Sequence, residues 1–200
     1  MKITFNSPLI LAFSFACVVI YIFQHYFGMF QNAFALSPNW NSRSFMSYFK
    51  MVSHTMGHAN LEHLIGNLSF VLLIGPIVEK QYGYKFLIFM MIITALVTSV
   101  FQLTFFSNGL MGASGIVFML IILTSMANIK NKEIPLTFIL VAIIFIGKEV
   151  LGSFNNDNIS HSAHIIGGVM GAIFGFAVAG KTYDPKHKEK LKGRDILKDL

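Results

Sequence analysis

Six times the chain runs through a predominantly apolar stretch at residues 8–27, 60–79, 84–106, 111–129, 134–151 and 161–180. Stretches of roughly 17–25 such residues match the hydrocarbon thickness of a bilayer when wound as helices. In lipid a lone spanning segment must satisfy its own backbone hydrogen bonds, so helices are the form these runs can take. Composition agrees: 54% of the residues are hydrophobic, 12% are charged and 21 are phenylalanine. A soluble surface cannot be built from that. The expected fold class is therefore all-α, a polytopic membrane bundle of six transmembrane helices. Residues 1–180 are expected to form the membrane domain and 181–200 a basic cytoplasmic tail. Cys17, the single cysteine, lies in an apolar run and cannot form an internal disulfide.

Charge placement sets an expected orientation. Twelve of the fifteen Lys and Arg residues fall on one set of flanks, from Lys2, Lys80 and Lys85 through Lys130 and Lys132 to the tail. The opposite set holds Arg43, Lys50 and Lys148. The positive-inside bias places both termini in the cytoplasm. The tail then lies beside anionic inner-leaflet lipid, which accounts for the net charge of +6 without nucleic acid. Lys2, the first run and Ala33-Phe34-Ala35 loosely imitate a secretory signal with its cleavage site. The run is too long for one, and the small residues lie well past its end.

Polar residues gather at three of the six runs: His58-Ala59-Asn60-Leu61-Glu62-His63 with Asn67, Gly112-Ala113-Ser114-Gly115, and Ala163-His164. Such groups cost several kcal/mol in hydrocarbon unless paired, which makes them candidate functional sites. In the expected orientation the second, fourth and sixth runs all pass from outside to inside. His63, Ser114 and His164 then lie at similar depth, several Å below the outer surface. Ser114 is the candidate nucleophile; a serine hydroxyl needs a base beside it and donors for the oxyanion it creates. Gly112 and Gly115 allow close backbone approach, and a helix N-terminus directs free N–H groups at negative charge. The alternative is a small-residue packing motif with Ser114 bonded back to a carbonyl.

His164 is the candidate base, able to take the serine proton and pass it to a leaving amine. Gly167, Gly171 and Gly175 repeat every four residues along one face of the sixth run. That spacing invites close packing, and the fourth run is the expected partner. The competing roles are His164 as interhelical polar contact and His161 as base, the latter nearer the aqueous edge. His63 and Asn67, four apart, share one helix face and can both donate toward an oxyanion. Alternatively they bond each other and hold the second helix in place. His54 and His58 are also four apart, but no glutamate follows His54 as zinc proteases of the His-Glu-x-x-His pattern require. No metal and no cofactor are expected. Glu149 and Asp157 flank the outer loop before the sixth run without a position that would orient His164, so a Ser–His dyad is expected rather than a triad.

These residues resemble the rhomboid intramembrane serine proteases over essentially the whole chain. The likeness rests on His58-x4-His63-x3-Asn67, Gly112-Ala113-Ser114-Gly115 and Ala163-His164-x2-Gly167 in that order, with Glu79-Lys80 and Gly83 after the second run. It implies Ser114 as nucleophile and His164 as base. His63, Asn67 and the Ser114 N–H would form the oxyanion hole, with Gly112, Phe118 and His58 supporting the site. Phe118 holds the place of an aromatic residue, often tyrosine, that stacks on the catalytic histidine. Phe49-Lys50 stands where the family has Trp-Arg, and lysine lacks the planar fork of arginine. Residues 28–53 would be the loop that lies partly in the outer leaflet. The implied activity is cleavage of transmembrane protein substrates near the outer face of a bacterial inner membrane. The implied partners are those substrates and the lipid bilayer. The fifth run and residues 152–158 are candidate gate elements. Two other readings stay open: a catalytically inactive rhomboid-like protein that binds clients, and a small transporter or channel.

Overall fold

Pro8 opens the first helix, where its fixed φ suits the helix and its missing N–H costs nothing. The computed structural model describes residues 5–30, 32–126, 134, 136–152 and 161–178. Among these it forms α1 (Pro8–Tyr26), α2 (Phe45–Ser53), α3 (Leu61–Tyr82), α4 (Tyr84–Phe105), α5 (Ser114–Ser125), α6 (Leu136–Gly152) and α7 (His161–Ala177). A 3-10 turn at His54–Met56 links α2 to α3. Every expected span is present as a helix, and α1, α3 and α4 are each long and apolar enough to cross a membrane alone. The fold is an all-helical membrane bundle, and the chain is an integral membrane protein. The tail from 181 and most of the candidate gate loop lie outside the described residues.

Two elements depart from the hydropathy reading. Part of the 28–53 stretch folds as α2, a short helix with Phe45, Met46, Tyr48 and Phe49 exposed. The fourth span is shorter than its apolar run: α5 has 12 residues, about 18 Å at 1.5 Å per residue. Every residue from Gly115 to Leu123 is buried. α5 is thus the central pillar, packed against α3, α4, α6 and α7, and does not face lipid itself.

α7 meets α5 at backbone range through its three spaced glycines. A Cβ on Gly167 would overlap the Gly115 carbonyl, one on Gly171 would lie 2.5 Å from the Met119 oxygen, and one on Gly175 2.5 Å from Met126 Sδ. The expected pairing of the fourth and sixth spans is therefore present.

The opposite end of the bundle is tied by Glu79 of α3. Its buried carboxylate accepts the N–H groups of Leu9 and Ile10, both at 3.0 Å. These are unpaired donors in the first turn of α1, where negative charge also suits the helix dipole. Gly83, at φ +78, then turns α3 into α4. Around the periphery Phe15 is 71% exposed and Leu73 70% exposed, an apolar belt suited to acyl chains rather than water.

Candidate active site

The segment leading into α5 is held from three directions. Leu36 and Leu110 exchange both backbone hydrogen bonds, at 2.8 and 3.1 Å. The Gly112 N–H donates to the His54 carbonyl at 2.9 Å. Gln102, near the end of α4, donates to the Asn108 carbonyl at 3.1 Å and its side-chain oxygen at 2.8 Å. Gly112 itself sits at φ +126, a conformation that residues with a Cβ rarely adopt. The chain thereby delivers Ser114 half-buried at the first position of α5, where the early N–H groups have no intrahelical acceptor.

α3 brings the proposed oxyanion donors to the same place. Asn60 caps this helix, its side-chain oxygen accepting the His63 N–H at 2.8 Å. One turn on, the His63 ring rests against Gly112: a Cβ there would lie 2.6 Å from His63 Nε2 and 3.5 Å from Asn67 Nδ2. Asn67 is buried, and its Nδ2 has no hydrogen-bond partner among the described residues. An uncommitted buried donor is rare enough to call for a functional account. Here it faces Gly112, two residues before Ser114.

α7 supplies the histidine. The His164 ring stacks on Phe118 with centroids 4.5 Å apart and planes 9° from parallel. Phe118 is four residues after Ser114, so the two share a face of α5. Contact between Gly167 and Gly115 sets the helices close enough for this stack. His161, the first residue of α7, lies 6.3 Å from His164, edge to face and about one turn before it. His63, Asn67, Ser114, Phe118 and His164 are thus gathered from three helices.

His58 stands next to His63. It is completely buried, bonds the Met56 carbonyl through Nδ1 at 3.3 Å, and meets the His63 ring edge to face at 5.2 Å. Burial, with the neighbouring His63 adding to it, pushes its pKa down to about 4, so it is neutral at ordinary pH. His54 is lowered to about 4 by burial as well, and lies against Lys50 O and Ser99 Oγ through Nδ1. The two rings are held by different neighbours. Among the described residues no group of three or more His, Cys, Asp or Glu side chains converges as metal ligands would. Asp157 is outside the described residues, and so is the side chain of Glu149.

Several supports went unread in the sequence. Gln102 also accepts from Ser162 at 3.1 Å, joining α7 to the segment before Ser114. A glutamine near the end of an apolar run was its only local signal. The Leu36–Leu110 pair joins residues far apart in sequence and had none. Asn60, three residues before His63, did carry a recognisable capping pattern. A cavity of about 10 Å³, lined by His54, Thr94, Thr98, Gly112, Gly115 and Ala163 among others, lies beside the start of α5. That is room for about one water molecule.

The chain is similar to known proteins over most of its length. The rhomboid domain family matches residues 46–181. Rhomboid protease GlpG of Yersinia pestis is 25% identical over 176 residues, which cover 85% of this chain and 62% of that protein. The protein of the same name from Haemophilus influenzae is 23% identical over 131 residues, covering 64% of this chain and 68% of its own. The chain thus spans about three fifths of the length of the Yersinia relative, 62%. With the family match covering most of its length, the chain belongs to the rhomboid family.

Proposed function

We propose that the protein is an intramembrane serine endopeptidase that cuts a peptide bond in or near the transmembrane segment of membrane-protein substrates. The observation that carries this reading is the convergence of three helices on Ser114: His63 and Asn67 beside Gly112, and His164 stacked on Phe118. The uncommitted Asn67 donor supports an oxyanion role. A purely structural asparagine in a membrane bundle would be expected to bond its neighbours.

In this mechanism His164 takes the proton of the Ser114 hydroxyl as its oxygen attacks the scissile carbonyl. The carbonyl becomes a tetrahedral oxyanion held by His63, Asn67 and the Ser114 N–H. His164 then gives the proton to the departing amine, leaving an acyl-serine and a new N-terminus. Water, deprotonated by His164, attacks the acyl carbon, and Ser114 leaves with its proton restored. Phe118 fixes the plane of the imidazole throughout. A substrate helix must unwind locally before its carbonyl can enter, because its own hydrogen bonds and side chains shield it. The site opens to the outer face of a bacterial inner membrane, with both termini cytoplasmic.

The test is fluorophosphonate labelling of the purified protein, which needs no known substrate. Wild type is expected to label, and Ser114→Ala and His164→Ala are expected not to. Labelling that survives His164→Ala moves the base to His161 or removes the dyad. Folded wild type that neither labels nor cleaves transmembrane substrates in liposomes leaves the client-binding reading in place.

A further inference from the structure

His25, in the last turn of α1, makes two hydrogen bonds to carbonyl oxygens. Its Nδ1 lies 3.1 Å from Tyr21 O one turn back, and its Nε2 lies 3.1 Å from Ala59 O in the turn before α3. The ring also stacks on Tyr21 at 4.0 Å. A carbonyl can only accept, and a neutral imidazole donates from only one nitrogen. Both bonds therefore exist together only when the ring carries two protons. With one proton, a nitrogen lone pair faces a carbonyl oxygen.

The second bond reaches a consequential place. Ala59 lies between His58, which meets the His63 ring, and Asn60, which caps α3 through the His63 N–H. We propose that His25 is a positioning residue whose doubly protonated ring ties α1 to the Ala59 carbonyl, holds the turn that presents His63, and releases it on losing a proton. For its catalytic consequence the proposal rests on the protease reading above; the tie itself does not.

The surrounding charges are few. α1 carries Tyr21 and Tyr26 near this end. The turn and the start of α3 carry His54, His58, Glu62 and His63. The remaining titratable groups of α3, namely Glu79, Lys80 and Tyr82, and those of α4, Tyr84 and Lys85, stand at the far end of the bundle. The carbonyl end of α1 favours a cation in its last turn, and Glu62 offsets the positive end of α3. Histidine changes charge between about pH 5 and 8, within reach of conditions at an outer membrane face.

Two measurements on the full-length protein in bicelles test this. The first is the fluorophosphonate labelling rate from pH 5.5 to 9 in wild type, His25→Phe and His25→Arg. At pH 6 wild type is expected to exceed His25→Phe by about fivefold, the factor carried by one ordinary hydrogen bond. By pH 8.5 the two are expected to converge. Arginine keeps its charge and its donors, so His25→Arg is expected to match wild type at pH 6 and exceed it at pH 8.5. The second is amide exchange of residues 58–64, corrected for the intrinsic effect of pH. Wild type is expected to be protected about fivefold over His25→Phe at pH 6 and equally exposed at pH 8.5. A wild-type to His25→Phe ratio of one, or one that does not change with pH, overturns the proposal in either measurement. If folded wild type neither labels nor cleaves transmembrane substrates, the protease reading fails, and the exchange arm still decides whether the tie exists.

Discussion

Gly112 combines two demands that no other residue type meets together: a backbone at φ +126 and an open side on which the His63 ring rests. Gly112→Ala is therefore expected to displace His63 and abolish fluorophosphonate labelling, while circular dichroism still reports a helical bundle. Asn67→Ala is the milder companion, removing one donor without a clash. Its labelling rate is expected to fall by about 10²–10³, the usual cost of a lost oxyanion donor. A rate within threefold of wild type would remove Asn67 from the proposed site. His54 and His58 make a different prediction, because burial holds both pKa values near 4 against an ordinary 6.5. The unfolded chain binds these protons first, so their neutral forms stabilise the fold fully above about pH 6.5, and that stability is lost as pH falls toward about 4. The unfolding temperature of wild type is expected to drop across this window. A His58→Asn variant is expected to show a shallower slope, and an identical slope would mean that His58 is not buried neutral. At this scale the sequence was informative wherever a residue was out of place in lipid. Ser114, His164, His63 and Asn67 stood out in apolar runs, and glycines marked the close approaches. Gln102 and Ser162 did not stand out, because polar residues near helix ends are ordinary.

The contact between α5 and α7 turns local sequence into site geometry. Gly167 lies against the Gly115 backbone, and the His164–Phe118 stack depends on that distance. Gly167→Ala puts a methyl group where a carbonyl oxygen already is. It is expected to cost roughly 1–3 kcal/mol as an overpacked substitution and to remove labelling by parting His164 from Ser114. Gly66→Ala is the control: a Cβ there meets nothing within 4 Å, so only helix propensity changes. It is expected to leave labelling intact and to stabilise α3 by roughly 0.5–1 kcal/mol. Equal effects of the two substitutions on reversible unfolding in detergent would show that the α5–α7 spacing is not limiting. The elements themselves were legible to unequal degrees. Six apolar runs read directly as helices because lipid permits little else. α2 did not, since nine residues of mixed polar, aromatic and aliphatic character carry neither a spanning length nor a strong cap. The brevity of α5 was hidden too, because a helix buried on every side is apolar whether or not it reaches both faces. The Glu79 carboxylate that satisfies the start of α1 acts across 69 and 70 residues of sequence, beyond any local pattern.

Across the whole molecule, charge asymmetry decides which way the site faces, and the proposed function depends on it. Arg43 lies just before α2, on the side where Ser114 opens α5, whereas Lys80 and Lys85 flank the α3–α4 turn at the opposite end. Moving a charged loop through the bilayer is costly, and cytoplasmic loops retain the excess of Lys and Arg. The site is therefore expected to face outward, so that it cuts substrates near their outer ends. Cys17 is buried within the bundle and is changed to Ala for this test, leaving one reactive thiol. In that background, Arg43→Cys and Lys85→Cys are each exposed in turn to a membrane-impermeant maleimide on intact cells. Arg43→Cys is expected to react at once, and Lys85→Cys only after the membrane is opened. The reverse pattern would turn the site toward the cytoplasm. Substrates would then be cut at their cytoplasmic ends, and the pH sensed by His25 would be that of the cell interior.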